Sequence, residues 1–258
     1  MRIAVSGKGG VGKTTLSAML AATMALEGRG VIALDADPDA NLASALGIDD
    51  EHITPLSEME DLIAERTGSK DNYGGYFQLN PKVDDIPEDF AERIGPIRLL
   101  TLGGVSQGGG GCICPASALV KALLTHVVLG RDEAVIMDME AGLEHLGRAT
   151  TESMDALVVV VTGSAWSART AMRVRKLAAD IGIKKLLAVA NLTGPSADTD
   201  QIAAQLGDIP LIGRLPFDPA LANGMLQVGP DGKISPSAGL ERHKPAVEKI
   251  LTALANTA

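Results

Sequence analysis

Short runs rich in valine, isoleucine, leucine and alanine recur along the chain, and the stretches between them carry apolar residues at helical spacing. Continuous apolar runs of about five residues suit strands buried on both faces, and helical stretches between them suit the crossovers of a parallel sheet. This pattern predicts strands at 3–5, 31–35, 97–102, 134–139, 156–161, 186–190 and 211–214. It predicts helices at 15–26, 40–46, 57–66, 115–128, 168–181, 197–205, 219–226 and 245–255. The expected fold class is α/β, a mostly parallel sheet flanked by helices on both faces. Residues 71–89 break the rhythm with Tyr73, Gly74, Gly75, Tyr76, Phe77, Pro81 and Pro87, and read as an inserted hairpin and loop at the surface. With no repeat, low-complexity linker or boundary elsewhere, residues 1–258 read as one domain.

Between the first strand and the first helix lies Gly7-Lys8-Gly9-Gly10-Val11-Gly12-Lys13-Thr14. It satisfies the phosphate-loop pattern G-x-x-x-x-G-K-[ST] in its proper strand–loop–helix context. Glycines let the backbone N–H groups of Gly9, Gly10, Val11 and Gly12 wrap a phosphate, and the helix beginning near Thr15 adds the positive end of its dipole. Lys13 is expected to reach the β- and γ-phosphates, and the Thr14 hydroxyl to ligate Mg²⁺. A P-loop NTPase domain is therefore expected.

Two further carboxylates end predicted strands. Asp37, held by Pro38 just past the second strand, is placed to orient a water for attack on a γ-phosphate, or else caps the following helix. Asp138 ends the apolar run 134–137, where a carboxylate supports Mg²⁺ directly or through water, and Gly142 permits close approach of backbone to a γ-phosphate. Asn191, Pro216 and Phe217 end two later strands on the same rim. An amide at 191 suits an adenine edge, though it also suits a helix cap.

Composition narrows the partners. The 258 residues are 46% hydrophobic and 21% charged, with no apolar run near the 18 or so residues that cross a bilayer. The first strand begins at Arg2, leaving no room for a leader, so a cytoplasmic protein is expected. A net charge of −9 without basic blocks disfavours nucleic acid and anionic membrane as partners.

The two cysteines, Cys112 and Cys114, follow four glycines and precede Pro115. Pro115 fits the first turn of the helix 115–128, so Cys114 would sit at a helix N-terminus that lowers its pKa. Thiolates bind soft or borderline metal ions, and two are too few for a closed tetrahedral site, whereas two chains about a two-fold axis supply four. Two small buried hydrophobes, or a redox pair, remain the alternatives.

The segment Lys8-Gly9-Gly10-Val11-Gly12-Lys13-Thr14 resembles the deviant Walker A loop of the nitrogenase iron protein, MinD and ParA families, of SIMIBI type. The resemblance implies an ATP- and Mg²⁺-dependent homodimer that hydrolyses ATP to ADP, in which Lys8 reaches the partner's nucleotide. Asp37 then matches the first switch and residues 138–142 the second. Cys112-Ile113-Cys114-Pro115, with residues 138–148, closely resembles the CooC-type nickel-insertion ATPases. That resemblance implies Ni²⁺ (or Zn²⁺) held by paired cysteines across the dimer, delivered to carbon monoxide dehydrogenase or a related nickel enzyme such as acetyl-CoA synthase. His145 reads as a surface helix residue sooner than a ligand. Three rivals share the nucleotide motifs. A ParA-like partitioning switch calls for a basic face, and a MinD-like switch for a basic amphipathic C-terminal anchor where residues 245–255 carry one lysine and one glutamate. An iron–sulfur scaffold or reductase also fits four thiolates at an interface.

Overall fold

The computed structural model describes residues 1–69, 76–103, 114–130, 133–141, 154–183, 185–194 and 198–256. Eight strands form one sheet in the order β3-β4-β2-β5-β1-β6-β7-β8. They are β1 (Arg2–Gly7), β2 (Val31–Asp35), β3 (Glu92–Ile94), β4 (Ile97–Thr101), β5 (Ala134–Asp138), β6 (Ala156–Val161), β7 (Leu186–Thr193) and β8 (Leu211–Pro216). Among the described residues, every pairing in this sheet is parallel except β3 with β4. All seven predicted strands are present within a few residues, because runs such as Val-Ile-Ala-Leu-Asp in β2 are buried at every position.

Strand parity divides the core. Ile3, Val5, Val31, Ala33, Ile136 and Val158 face α1 (Lys13–Leu26), α2 (Leu42–Leu46) and α8 (Ala238–Asn256). Ala4, Ile32, Leu34, Val135, Met137 and Leu157 face the other layer, with α3 (Glu60–Thr67), α5 (Pro115–Gly130), α6 (Ala165–Asp180) and α7 (Thr199–Leu206). The helix α4 (Ile86–Asp89) is a single turn beside β4. α5 is the crossover from β4 to β5, which flank β2 on either side. It therefore carries Cys114 toward the rim where the parallel strands end.

Three expectations are corrected. Within the 71–89 section, residues 71–75, on which the expected hairpin falls, lie outside the described residues. Residues 76–85 are irregular, and Val83, Ile86 and Pro87 are buried against the core, so part of the section is packed rather than a surface loop. A hairpin lies just after it, as β3 and β4 around Gly95-Pro96. Residues 219–226 are not one helix: a short 3₁₀ turn (Pro219–Asn223) stops at Gly224, whose φ is +82°, and a second sheet follows. That sheet pairs β9 (Leu226–Val228) with β10 (Ile234–Pro236). The last helix begins at Ala238, not Pro245. Pro245 sits inside it at the cost of one backbone bond, and Leu240, Val247, Ile250 and Leu254 bury its apolar face. This helix is a packed core element, as its balanced charges suggest.

Candidate active site

β1 is flanked by β5 and β6, and β5 in turn by β2, so the phosphate loop leaves the sheet near the strand ends that carry Asp35 and Asp138. In an open α/β sheet, this rim is where ligands bind. The loop enters α1 through Gly12, whose φ of +87° is left-handed. A Cβ there would also lie 2.1 Å from the Asn191 side chain, so glycine is required twice over. Gly9 and Gly10 face open space, Val11 is buried, and Thr14 lies in the first turn of α1.

Charge gathers under the loop. Lys13 is buried, and its Nζ lies 3.4 Å from Asp37 Oδ2, itself nearly buried. Asp35 ends β2 and builds the turn that presents Asp37: Asp35 Oδ1 accepts from Asp37 N at 3.2 Å and Oδ2 from Leu42 N at 2.8 Å. Asp35 therefore caps α2, and Asp37 is free of that duty. Asp39 N in turn donates to Asp37 Oδ1 at 3.1 Å.

Asp138 is fully buried and pairs in register with Asp35 across β2 and β5. Ser17 Oγ donates to its Oδ1 at 3.2 Å, while its Oδ2 is buried with no hydrogen-bond partner among the described residues. Burial pushes its pKa up to about 7. The nearby Asp35 charge adds to this, while the hydroxyls of Thr14 and Ser17 and the Lys13 ammonium oppose it. Burial also raises Asp35. An orphaned carboxylate oxygen beside the Thr14 hydroxyl is an oxygen-only donor set, which suits a hard divalent cation that keeps waters and phosphate oxygens as its other ligands. Asp35 and Ser17 join the site without belonging to any of its motifs. Asp35 was legible only as the last residue of a strand, and Ser17 only as three residues beyond Thr14 on one helix face.

The other end of the cleft is built differently. Asn191 is 2% exposed and lies within β7 rather than capping a helix, since the strand runs on to Thr193. Its Nδ2 donates to the Val11 carbonyl at 2.9 Å, which ties the phosphate loop to β7 and leaves the Oδ1 acceptor available. Asn191 lines a cavity of about 330 Å³ with Thr15, Leu192, Pro216, Phe217, Asp218, Pro219 and Leu221. Leu192 sits at a register shift between β7 and β8 with φ +55°, the one positive-φ residue other than glycine among those described. Such strain in a non-glycine residue gathers at ligand sites. Asp218 Oδ1 accepts from Ala220 N at 2.9 Å, and Arg242 holds the same carboxylate, which fixes the lower wall.

Cys114 precedes α5 and acts as its cap: Ser117 N lies 3.4 Å from Sγ, and the Ser117 hydroxyl lies 3.1 Å from it. The Ser117 hydroxyl, more than any other contact, lowers the Cys114 pKa, and neighbouring backbone N–H groups add to it against partial burial. The geometry is that expected from Pro115. Cys112, Gly142 and His145 lie outside the described residues. Lys8 is exposed at the mouth of the loop, its Nζ 5.8 Å from the centroid of Trp166. Among the described residues, no group of three or more His, Cys, Asp or Glu side chains is placed to hold a metal ion, and no helix is long and apolar enough to cross a membrane.

A phosphate loop with paired carboxylates at the strand ends and a base-sized cavity beside it defines a nucleoside-triphosphate-binding protein. The chain belongs to the CobQ/CobB/MinD/ParA nucleotide binding domain family, whose profile matches residues 3–227, and it is an ATPase of that fold. Its likeness within the family is to the CooC type: it is 47% identical over 224 residues to the carbon monoxide dehydrogenase accessory protein CooC of Rhodospirillum rubrum, covering 86% of this chain and 85% of that one. It is also 45% identical over 222 residues to an uncharacterised ATP-binding protein of Methanocaldococcus jannaschii, covering 84% and 86%. The MinC:MinD cell division complex of Aquifex aeolicus superposes with a TM-score of 0.66 over 99% of this chain and 94% of that one, at 19% identity, a likeness of fold alone.

Proposed function

We propose that this protein is a homodimerising ATPase that carries nickel to carbon monoxide dehydrogenase or a related nickel enzyme during its maturation, in the cytoplasm and as one domain. The likeness to CooC over most of both chains carries the reading. The Cys114 thiol, lowered in pKa at a helix N-terminus, supplies the metal chemistry it needs.

In this reading Lys13 leaves Asp37 for the β- and γ-phosphates, and Asp37 is thereby released to orient the attacking water. Mg²⁺ would be held by Thr14 and supported by Asp138, and would supply charge neutralisation on the phosphates. The Asn191 Oδ1 accepts from the adenine amino group, because its Nδ2 is already committed to Val11. Pro216 and Phe217 cover the base. Lys8 serves the nucleotide of a second copy, and Cys112 and Cys114 from two copies share one Ni²⁺ (or Zn²⁺). Metal affinity and nucleotide state are then linked, and the linkage is reciprocal.

The test is anaerobic titration of Ni²⁺ with ADP or ATP present, read by thiolate-to-metal absorption and by mass in the same samples. Half a nickel per chain, appearing with dimerisation and lost in Cys114→Ser, supports the proposal. Equal nickel affinity with either nucleotide defeats the coupling. A brown chromophore after anaerobic purification would instead indicate an iron–sulfur cluster on the same thiolates, and ATP-driven dimers with no thiolate–metal band would return the protein to a partitioning-type switch.

A further inference from the structure

Trp166 is the single tryptophan of the chain, and it stands 66% exposed. Exposure of so large an apolar ring is costly, and its neighbours are specific. Lys8 Nζ lies 5.8 Å from the ring centroid and Arg169 Cζ lies 5.1 Å from it, both within cation–π range. The backbone that carries the ring is also firmly placed. It lies in the first turn of α6, whose Ser164 caps the helix by accepting from Ser167 N. The Ser167 hydroxyl donates to the Thr162 carbonyl at 2.8 Å and accepts from Thr162 N at 3.0 Å. β6 feeds this turn and pairs with β1 so that Val160 opposes Gly7. The start of α6 is thus locked beside the residue that precedes Lys8.

We propose that Trp166 is a positioning residue for Lys8. Its ring holds the lysine ammonium on the outer rim, apart from the buried Lys13–Asp37 pair, in the place from which it is offered to the nucleotide of a second copy. This rests on the two-copy reading above. Arg169 shares the ring, and a cation–π contact at an exposed site is strong enough to bias Lys8 yet weak enough to be released. Lys8 therefore exchanges the ring for phosphate at little cost, and the vacated tryptophan is covered as the copies close, in keeping with the enrichment of tryptophan and arginine at interface centres.

The experiment measures ATPase activity per chain across a wide range of protein concentration for the wild type, Lys8→Ala, Trp166→Leu and Trp166→Phe. Wild-type activity should rise with concentration, and Lys8→Ala should stay flat. Trp166→Leu should need several-fold more protein for the same rise, with KM for ATP at saturating protein unchanged, and Trp166→Phe should restore most of the rise. In the wild type, the emission of Trp166 should shift to shorter wavelength and become protected from iodide when a non-hydrolysable ATP analogue is added at high protein concentration. Lys8→Ala should abolish that shift. If Trp166→Leu matches wild type, or the emission does not move, while Lys8→Ala is flat, the role of Trp166 is overturned and the two-copy reading stands. Wild-type activity independent of concentration overturns both. Should the leucine variant fail to fold, the wild-type emission decides.

Discussion

The two ends of the nucleotide cleft solve opposite problems. At the phosphate end Lys13, Asp35, Asp37 and Asp138 are wholly or largely buried together, with one carboxylate oxygen unpartnered among the described residues and two carboxyl pKa values raised. At the base end the lining is neutral or already paired, and strain falls on the backbone of Leu192 instead. The phosphate end is therefore electrostatically unfinished without its ligand, and the base end is finished in advance. Ligand binding relieves the first and merely fills the second.

The contrast can be broken most severely at Lys13. Lys13→Ala removes the cation that answers both Asp37 and the phosphates, and ATP turnover should fall at least about 100-fold, as for loss of a preorganised electrostatic contact. Asp138→Asn tests the stored cost directly. The folded protein binds this proton far more tightly than an unfolded chain of ordinary carboxylate pKa, so the contribution to stability is full below about pH 4 and is lost as pH rises through about 7. In nucleotide-free, Mg²⁺-free protein the asparagine variant should melt higher than wild type above pH 7, by on the order of a few kcal/mol at about 1.4 kcal/mol per pKa unit, and the two should converge in acid. Melting curves across pH check this, and equal curves at alkaline pH would refute the stored cost.

Smaller effects are expected at the base end. Asn191→Ala loses both the Val11 tie and the free acceptor, so KM for ATP should rise roughly tenfold, about one charge-free hydrogen bond's discrimination, and preference over GTP should narrow. Leu192→Gly relieves a left-handed conformation worth about 1–2 kcal/mol but gives the unfolded chain about 0.5–1 kcal/mol more freedom. Its stability should therefore change by no more than about 1.5 kcal/mol, with only a modest rise in KM as one wall of the cavity is lost. Calorimetry and steady-state kinetics on the two variants would sharpen the contrast with Asp138.

The same difference governs what could be read from the sequence. The phosphate end is contiguous in the chain, and the spacing from Gly7 to Thr14 dictates both the loop and its lysine. The base end is assembled from a bulge in β7, the end of β8 and a 3₁₀ turn, so Asn191, Pro216 and Phe217 were legible as strand ends but Leu192 was not. Asp35 escaped because Asp37 and Asp39 stand nearby, and only the turn geometry shows which carboxylate builds the loop and which is left for chemistry. The three-residue strands β3, β9 and β10 are too short to show periodicity, and Pro245 hid the first two turns of α8.

The crossover α5 has a consequence for how the rim is kept in alignment. Sixteen residues of unbroken helix, beginning directly after Cys114, lead back to the strand that ends in Asp138. The bearing of the thiol toward the rim is therefore a matter of helical phase. One residue inserted in the middle of α5 would turn Cys114 about the helix axis by about 100° relative to β5 and displace it by about 1.5 Å, without replacing any residue of either site. Length, as much as composition, is what this segment has to conserve.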